Sequence, residues 1–310
     1  MNQKKSASNK ILNLSNILFA AAAGMAFVPA DFHLDPPWAY LAVLLWFEAA
    51  FIINSNIGRK KLINVVDLYS IIFSVFLLWD LGSKIFKVLH YTLFPPPQNV
   101  FYIFIQDYPR MIAGFFHSMY LILVSVSIGM GLGVILGLFV GWYQRPREAI
   151  SPVINVVASV PALVYAPYIV AVSPTFQMAS IIVIFMGVFF PTMMNMVSNV
   201  KNVDQKLIDS AKSLNLSDFA MLVKVLLPDC AIPIIGSLRI RIATAFMILV
   251  MAETIGANSG LGYYVKRWAA WSDYPKVFAG IILIAVVVTG INALIGLFEK
   301  KVLKWVEMPK

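Results

Sequence analysis

Long apolar runs recur along this chain, and they constrain its fold more than any other feature. Each is near the ~20 residues that an α-helix needs to cross the hydrocarbon of a bilayer. The runs fall at 14–30, 37–55, 65–88, 118–141, 150–172, 177–199, 233–256 and 277–298. Of 310 residues, 60% are hydrophobic and 13% charged, whereas a soluble domain carries about a quarter charged residues. A single water-soluble core cannot hold that much apolar surface. The expected fold is all-α: a polytopic transmembrane helical bundle of about eight spans, embedded in a lipid bilayer.

The basic residues orient these spans. With both termini cytoplasmic, the inner segments hold Lys4, Lys5, Lys10, Arg59, Lys60, Lys61, Arg145, Arg147, Lys201, Lys206, Lys212, Lys224, Arg239, Arg241, Lys300, Lys301, Lys304 and Lys310. Only Lys84, Lys87, Arg110, Lys266, Arg267 and Lys276 remain for the other side. That bias is the one the positive-inside rule requires. It also accounts for the net charge of +9. No basic stripe with interleaved aromatics points to nucleic acid. The basic start, the apolar stretch Ile17–Val28 and the sequence Val28-Pro29-Ala30 also fit a cleaved signal peptide, with a mature start at Asp31. A further apolar run follows at once, which favours a retained span. Cys230 is the single cysteine, so no internal disulfide forms, and it reads as a small apolar filler.

Two spans differ in texture from the rest. The fourth carries Gly129, Gly131, Gly133, Gly137 and Gly141. The last three are four residues apart, so they share a face and let another helix approach closely. These glycines do not form a dinucleotide fingerprint, and no phosphate-binding G-x-x-x-x-G-K-[ST] occurs anywhere. The chain itself therefore lacks a nucleotide-hydrolysing P-loop. The fifth span contains Pro161 and Pro167 and runs toward Pro174. Prolines remove backbone donors. In a membrane such breaks survive where protein or a water-lined cavity satisfies the freed groups. The span is either a wall of a transport path or a kinked packing helix.

One sizeable polar stretch, Lys201–Pro233, lies on the inner side. It reads as two short helices around a turn. Asp204 is suited to cap the first. Leu207, Ala211 and Leu214 fall at i, i+4 and i+7, which makes one apolar stripe. Asn215 tolerates the left-handed conformation that ends a helix. Ser217 caps the second helix, Asp218 suits its first turn, and Pro228 is expected to stop it. Pro233 then suits the first turn of the seventh span. A solvated connector needs no such pair of amphipathic helices, whereas a partner's groove would accept them.

The segment Asp209-Ser-Ala-Lys-Ser-Leu-Asn215, with Leu226-Leu-Pro228 downstream, resembles the "EAA…G…LP" loop of ABC importer permeases. Further segments resemble the taurine, alkanesulfonate and nitrate branch of that family. They are Phe94–Val100, Val160-Pro161 with Pro167, Gly187–Pro191, Leu238-Arg-Ile240, Ala252-Glu253 and Ser259–Gly262. They occur in order across about residues 92–305. Three departures stand out. Asp209 and Asn215 replace the loop's first Glu and its Gly. Ser173–Gln177 replaces a Phe-Gly-x-Gly-Glu segment. Arg241 and Ala243 replace glycines early in the seventh span.

The resemblance implies a type I importer permease in a bacterial inner membrane. Residues 1–64 would form an extra hairpin and residues 65–310 the transport domain. Two copies would pair, bind two ABC ATPase subunits inside and meet a periplasmic or lipid-anchored binding protein outside. The chain would bind no cofactor, and ATP would be used by the partner. It also implies that Asp209, Ser210, Ala211, Lys212, Ser213, Leu214, Asn215, Leu216, Ser217 and Phe219 dock the ATPase. The cargo would be a small sulfonate, taurine or nitrate.

The remaining candidates are isolated charges. Pro161, Tyr165, Pro167 and Glu253 are the candidate path residues. An intramembrane carboxylate such as Glu253 is costly and marks either function or a hydrogen-bonded turn. Arg239 and Arg241 read as anchors that snorkel to the inner face. His33, His90 and His117 lack metal-ligand spacing. The competing readings are an ion-coupled secondary carrier and a membrane enzyme. The first would need clustered mid-membrane charges or an inverted repeat, the second a paired acid and base.

Overall fold

The computed structural model describes residues 13–56, 62–86 and 92–302. Lys4, Lys5, Lys10, Arg59, Lys60, Lys61, Lys87, His90, Lys304 and Lys310 lie outside the described residues. Every regular element among the described residues is helical. Six helices are long and apolar enough to span a bilayer, and eight if each of two bent pairs counts as one span. The all-α bundle expected from the sequence is therefore present, although its membership differs. The helix α1 (Leu14–Met25) has 12 residues. At 1.5 Å per residue it rises about 18 Å, short of a ~30 Å hydrocarbon layer. In its place, Asp218–Gly236 meets the length and composition of a span.

One compact unit comprises residues 1–111 with 267–281. In it α1, α2 (Trp38–Asn56), α3 (Leu62–Asp80) and α4 (Pro97–Gln106) pack together, α1 and α2 both lying on α3. The charges at the end of α3 are satisfied internally. Lys84 sits on a π turn, Leu81–Ile85, where its ammonium lies 3.1 Å from Asp80 and donates to the Met25 carbonyl and Gln98 Oε1. Tyr40 donates to the other Asp80 oxygen at 2.7 Å. An ion pair buried in this way persists only when its remaining hydrogen-bonding capacity is satisfied. Lys84 is thus an internal staple of this unit rather than a charge at a loop surface. The first turn of α4, within the Pro-rich segment Phe94–Val100, also has a structural role here. Asn99 accepts from the Asp35 amide and donates to the His33 carbonyl, which holds the connection between α1 and α2.

The second unit comprises residues 112–266 with 282–310. Its main scaffold is α5 (Tyr108–Trp142) against α8 (Phe176–Lys201). At 35 residues α5 rises on the order of 50 Å and outruns the hydrocarbon layer. The glycine face expected from the sequence meets α8. A Cβ on Gly133, Gly137 or Gly141 would fall 2.9, 2.6 or 2.8 Å from the side chain of Thr192, Met196 or Val200, respectively. Both series advance by four residues, so the two helices run in register along one seam.

α8 is the hub of this unit. It also packs against α6 (Gln144–Ser159), α7 (Ala162–Val172), α11 (Leu227–Gly236) and α12 (Leu238–Gly256). α6 and α7 are bent by 91°. The bend sits at Val160-Pro161, because a residue before proline is pushed into extended backbone and the helix must end there. α7 continues through Pro167. The other bent pair is α12 with α13 (Leu261–Ala270), at 43°. α14 (Tyr274–Val302) is the last helix among the described residues.

Pro228 does not end its helix. α10 (Asp218–Met221) passes through a π turn, Leu222–Leu226, directly into α11, where Pro228 occupies the first turn. The wider turn relieves the i→i−4 clash that a proline imposes on an α-helix. Accordingly the next spanning helix starts at Leu238 rather than near Pro233.

Candidate functional site

The polar loop forms as its caps predict. Asp204 accepts from the Lys206 amide at 2.9 Å and starts α9 (Gln205–Ser213). Asn215 has φ 53°, in the left-handed region. The Leu216 amide donates to the Ala211 carbonyl and the Asn215 amide to the Lys212 carbonyl. These paired bonds make the Schellman stop that a residue of this conformation permits. Ser217 then accepts from the Ala220 amide and caps α10.

The stripe along α9 is divided by packing. Ala211 is buried with half-buried Ile208 and Leu216, alongside Leu138 of α5, Met196 and Val200 of α8, and Met221, Leu226 and Ile234. Leu207 faces outward, and Leu214 is 77% exposed. Phe219 is 75% exposed on the far side of the turn. Asp209, Ser210, Lys212, Ser213, Asn215 and Ser217 are exposed as well. The loop therefore joins an outer face carrying two protruding apolar side chains to an inner face seated on α5 and α8.

Glu253 anchors the bend between α12 and α13. It is fully buried. One carboxylate oxygen accepts from Ser118 Oγ at 2.6 Å and the other from the Gly262 amide at 2.7 Å. Ser118 in turn accepts from the Leu261 amide at 2.9 Å. The first two amides of α13 would otherwise lack acceptors. Gly260 has φ +122°, and a Cβ there would overlap the carboxylate. Two segments that carried the resemblance, Ala252-Glu253 and Ser259–Gly262, are thus one hydrogen-bonded device. His117 Nδ1 lies 3.9 Å from the same carboxylate, beyond hydrogen-bond distance.

The other candidate path residues lie along α7. Pro161 is exposed at its N-cap, and Pro167 is exposed within it. The Tyr165 hydroxyl would stand 3.7 Å from a Cβ on Gly187. Gly187 belongs to the wall of a cavity of about 250 Å³ between α8 and α12. A larger cavity of about 820 Å³ lies between α6 and α8, and Asn195 lines both.

The two arginines of α12 part company. Arg239 Nε pairs with Glu299 at 2.8 Å. Arg241 is 8% exposed and turns inward, donating from Nη1 to Thr192 Oγ1 at 2.7 Å and from Nε to Ser237 Oγ at 3.0 Å. It is not a snorkelling anchor, because its guanidinium is held by neutral hydroxyls inside the bundle. Sequence reasoning passed over Ser118, Thr192, Asn195, Ser237 and Thr244. A signal for some of them exists. Gly187, Pro191, Asn195 and Ser198 share one face of α8, and Ser237, Arg241 and Thr244 share one face of α12. Among the described residues no group of His, Cys, Asp and Glu could hold a metal.

Residues 129–304 match the family model described as binding-protein-dependent transport system inner membrane component. A Bacillus subtilis (strain 168) permease named for aliphatic sulfonate transport is 32% identical over 61% of this chain and 68% of its own length. The taurine transport system permease of Escherichia coli (strain K12) is 28% identical over 59% of this chain and 67% of its own. The nitrate import permease of Leptolyngbya laminosa is 30% identical over 58% of this chain and 63% of its own. Among solved structures, an inward-facing methionine ABC transporter superposes with a TM-score of 0.54. It covers 66% of this chain and 99% of the other, at 18% identity, a likeness of fold.

Proposed function

We propose, from the premise that this chain belongs to the binding-protein-dependent transport system inner membrane component family, that it is the half-channel of a bacterial importer for a small sulfonate, taurine or nitrate. Relatives in this branch are named for aliphatic sulfonates, nitrate and taurine, each of which presents a sulfonate or nitrate oxyanion. Two copies pair in the inner membrane, two ATPase subunits bind inside, and a periplasmic or lipid-anchored binding protein delivers cargo outside. Hydrolysis belongs to the partner, since this sequence has no P-loop. Residues 65–310 form the transport body, and the first hairpin is an addition to it.

The observation that carries this reading is the two-faced loop. Leu214 and Phe219 offer apolar anchors to a groove on the ATPase, while Ala211 and Leu216 tie the same turn to α8. A push on the turn therefore moves α8, which lines both cavities. Alternating access then follows from rigid helices pivoting on a packed joint. A few side chains seated in well-packed partner pockets carry most of an interface's binding energy. Phe219→Asp and Leu214→Asp should thus reduce ATPase recovered with the purified permease by tenfold or more. Both side chains are largely exposed, so the permease's own melting temperature should barely move. Undiminished ATPase recovery by both variants would refute the docking role.

A further inference from the structure

We infer that Arg241, at the wall of the cavity between α8 and α12, is an oxyanion-binding station inside the transport path. The inference deepens the reading just given, in that it assumes an anionic cargo. It rests on four observations.

First, Arg241 is a buried cation without a counterion. Among the described residues, no carboxylate lies within ion-pair distance of it. Buried charge in a membrane protein is ordinarily paired or faces a pathway. The contrast with its neighbour is direct, since Arg239 has Glu299.

Second, the side chain is held in place. Thr192 is itself fixed, because its hydroxyl donates to the Val188 carbonyl at 2.6 Å and so presents a lone pair to Nη1. Ser237 donates to the Ile234 carbonyl and accepts from Nε in the same way. Two of the five guanidinium donors are thereby used, and three remain. A planar fork with free donors matches the oxygens of a sulfonate or nitrate.

Third, the cavity is of the right kind. Its polar wall is Asn195, Ser237, Arg241 and Thr244, with no acidic side chain among its lining residues. Thr244 donates to the Ile240 carbonyl. Asn195 has an amide free to donate, and its side chain is exposed to the cavity. At about 250 Å³ the space is below the ~300–1,000 Å³ of sites for drug-sized ligands and suits a smaller ion.

Fourth, the cavity has an onward route. Asn195 also lines the larger cavity, whose wall carries Arg147 and Lys201 beside a single acid, Glu148. An anion leaving Arg241 thus meets a wall with more basic than acidic side chains, as stepwise release from one site to the next requires.

The test uses the permease assembled with its ATPase, and nitrate and methanesulfonate as probes against gluconate at equal ionic strength. Melting temperature is followed as each probe is titrated. The wild type should show a saturable rise with nitrate and methanesulfonate. Arg241→Gln should abolish it, and Arg241→Lys should keep a weaker one, with apparent affinity reduced about tenfold through loss of the fork. Asn195→Leu alters an exposed rim residue and should weaken the response without depending on the buried bonds. A saturable response of wild-type size in Arg241→Gln, or no response in the wild type, would overturn the site. A wild-type complex that binds these anions yet imports no sulfonate, taurine or nitrate would support the site and refute the cargo assignment instead.

Discussion

Removing the Glu253 carboxylate should loosen one joint of the bundle by a calculable amount. Glu253→Ala leaves the Ser118 hydroxyl and the Gly262 amide without acceptors, and both groups are buried. Each buried donor so stranded costs about 1–3 kcal/mol, so the variant should lose about 2–6 kcal/mol. Glu253→Gln keeps one acceptor oxygen but turns an amide nitrogen toward the second donor, and about 1–3 kcal/mol should be lost. The order of stability is therefore wild type, Gln, Ala. The assay is reversible unfolding in mixed micelles, followed by tryptophan fluorescence, on single variants and on the double variant with Ser118→Ala. Ser118 and Glu253 share a 2.6 Å bond, so the cycle should show a coupling of at least about 1 kcal/mol. A Glu253→Ala variant within about 0.5 kcal/mol of wild type, the scatter of ordinary surface substitutions, would rule out this role for the carboxylate. So would strict additivity with Ser118→Ala. If Glu253 also lines the path, Glu253→Gln protein that is fully folded will import more slowly than its stability explains.

Gly137→Ala should destabilise the bundle by about 1–3 kcal/mol through overpacking, because its Cβ would fall 2.6 Å from Met196 Cβ and 2.9 Å from the Met193 carbonyl. Gly131→Ala meets nothing within 4 Å and should be neutral or slightly stabilising, which a pair of melting curves would establish. Asn215→Val forces a β-branched residue into φ 53° and should cost the loop about 1–2 kcal/mol, read as faster proteolysis between α9 and α10. Asn215→Gly should be tolerated, since glycine adopts that conformation freely.

Local chemistry was the legible part of this sequence. Asp204, Asn215 and Ser217 act on neighbours two to five residues away, so their caps can be read from spacing. The glycine face of α5 could be read for the same reason, though not the helix it would meet. Where a surface is covered by distant chain, the pattern fails. Leu207 and Leu214 are more apolar than Ala211, yet the core reaches only Ala211. The π turn that carries a helix through Pro228 depends on backbone accommodation that no periodicity encodes. Ser118 and Glu253 are 135 residues apart and Thr192 and Arg241 are 49 apart. Glu253 could be read as a carboxylate holding a turn but without its Ser118 partner, and Arg241 reads as a snorkelling anchor because nothing local marks Thr192 and Ser237 as its acceptors.

The proposed function requires that this chain conduct only when a partner ATPase drives it through the turn at Asn215. Uptake of labelled sulfonate, taurine or nitrate should be measured in vesicles holding the permease, with and without the ATPase, binding protein and ATP. Uptake should require all three and should fall at least tenfold in Phe219→Asp. Uptake by the permease alone, or full uptake by Phe219→Asp, would contradict the proposed function.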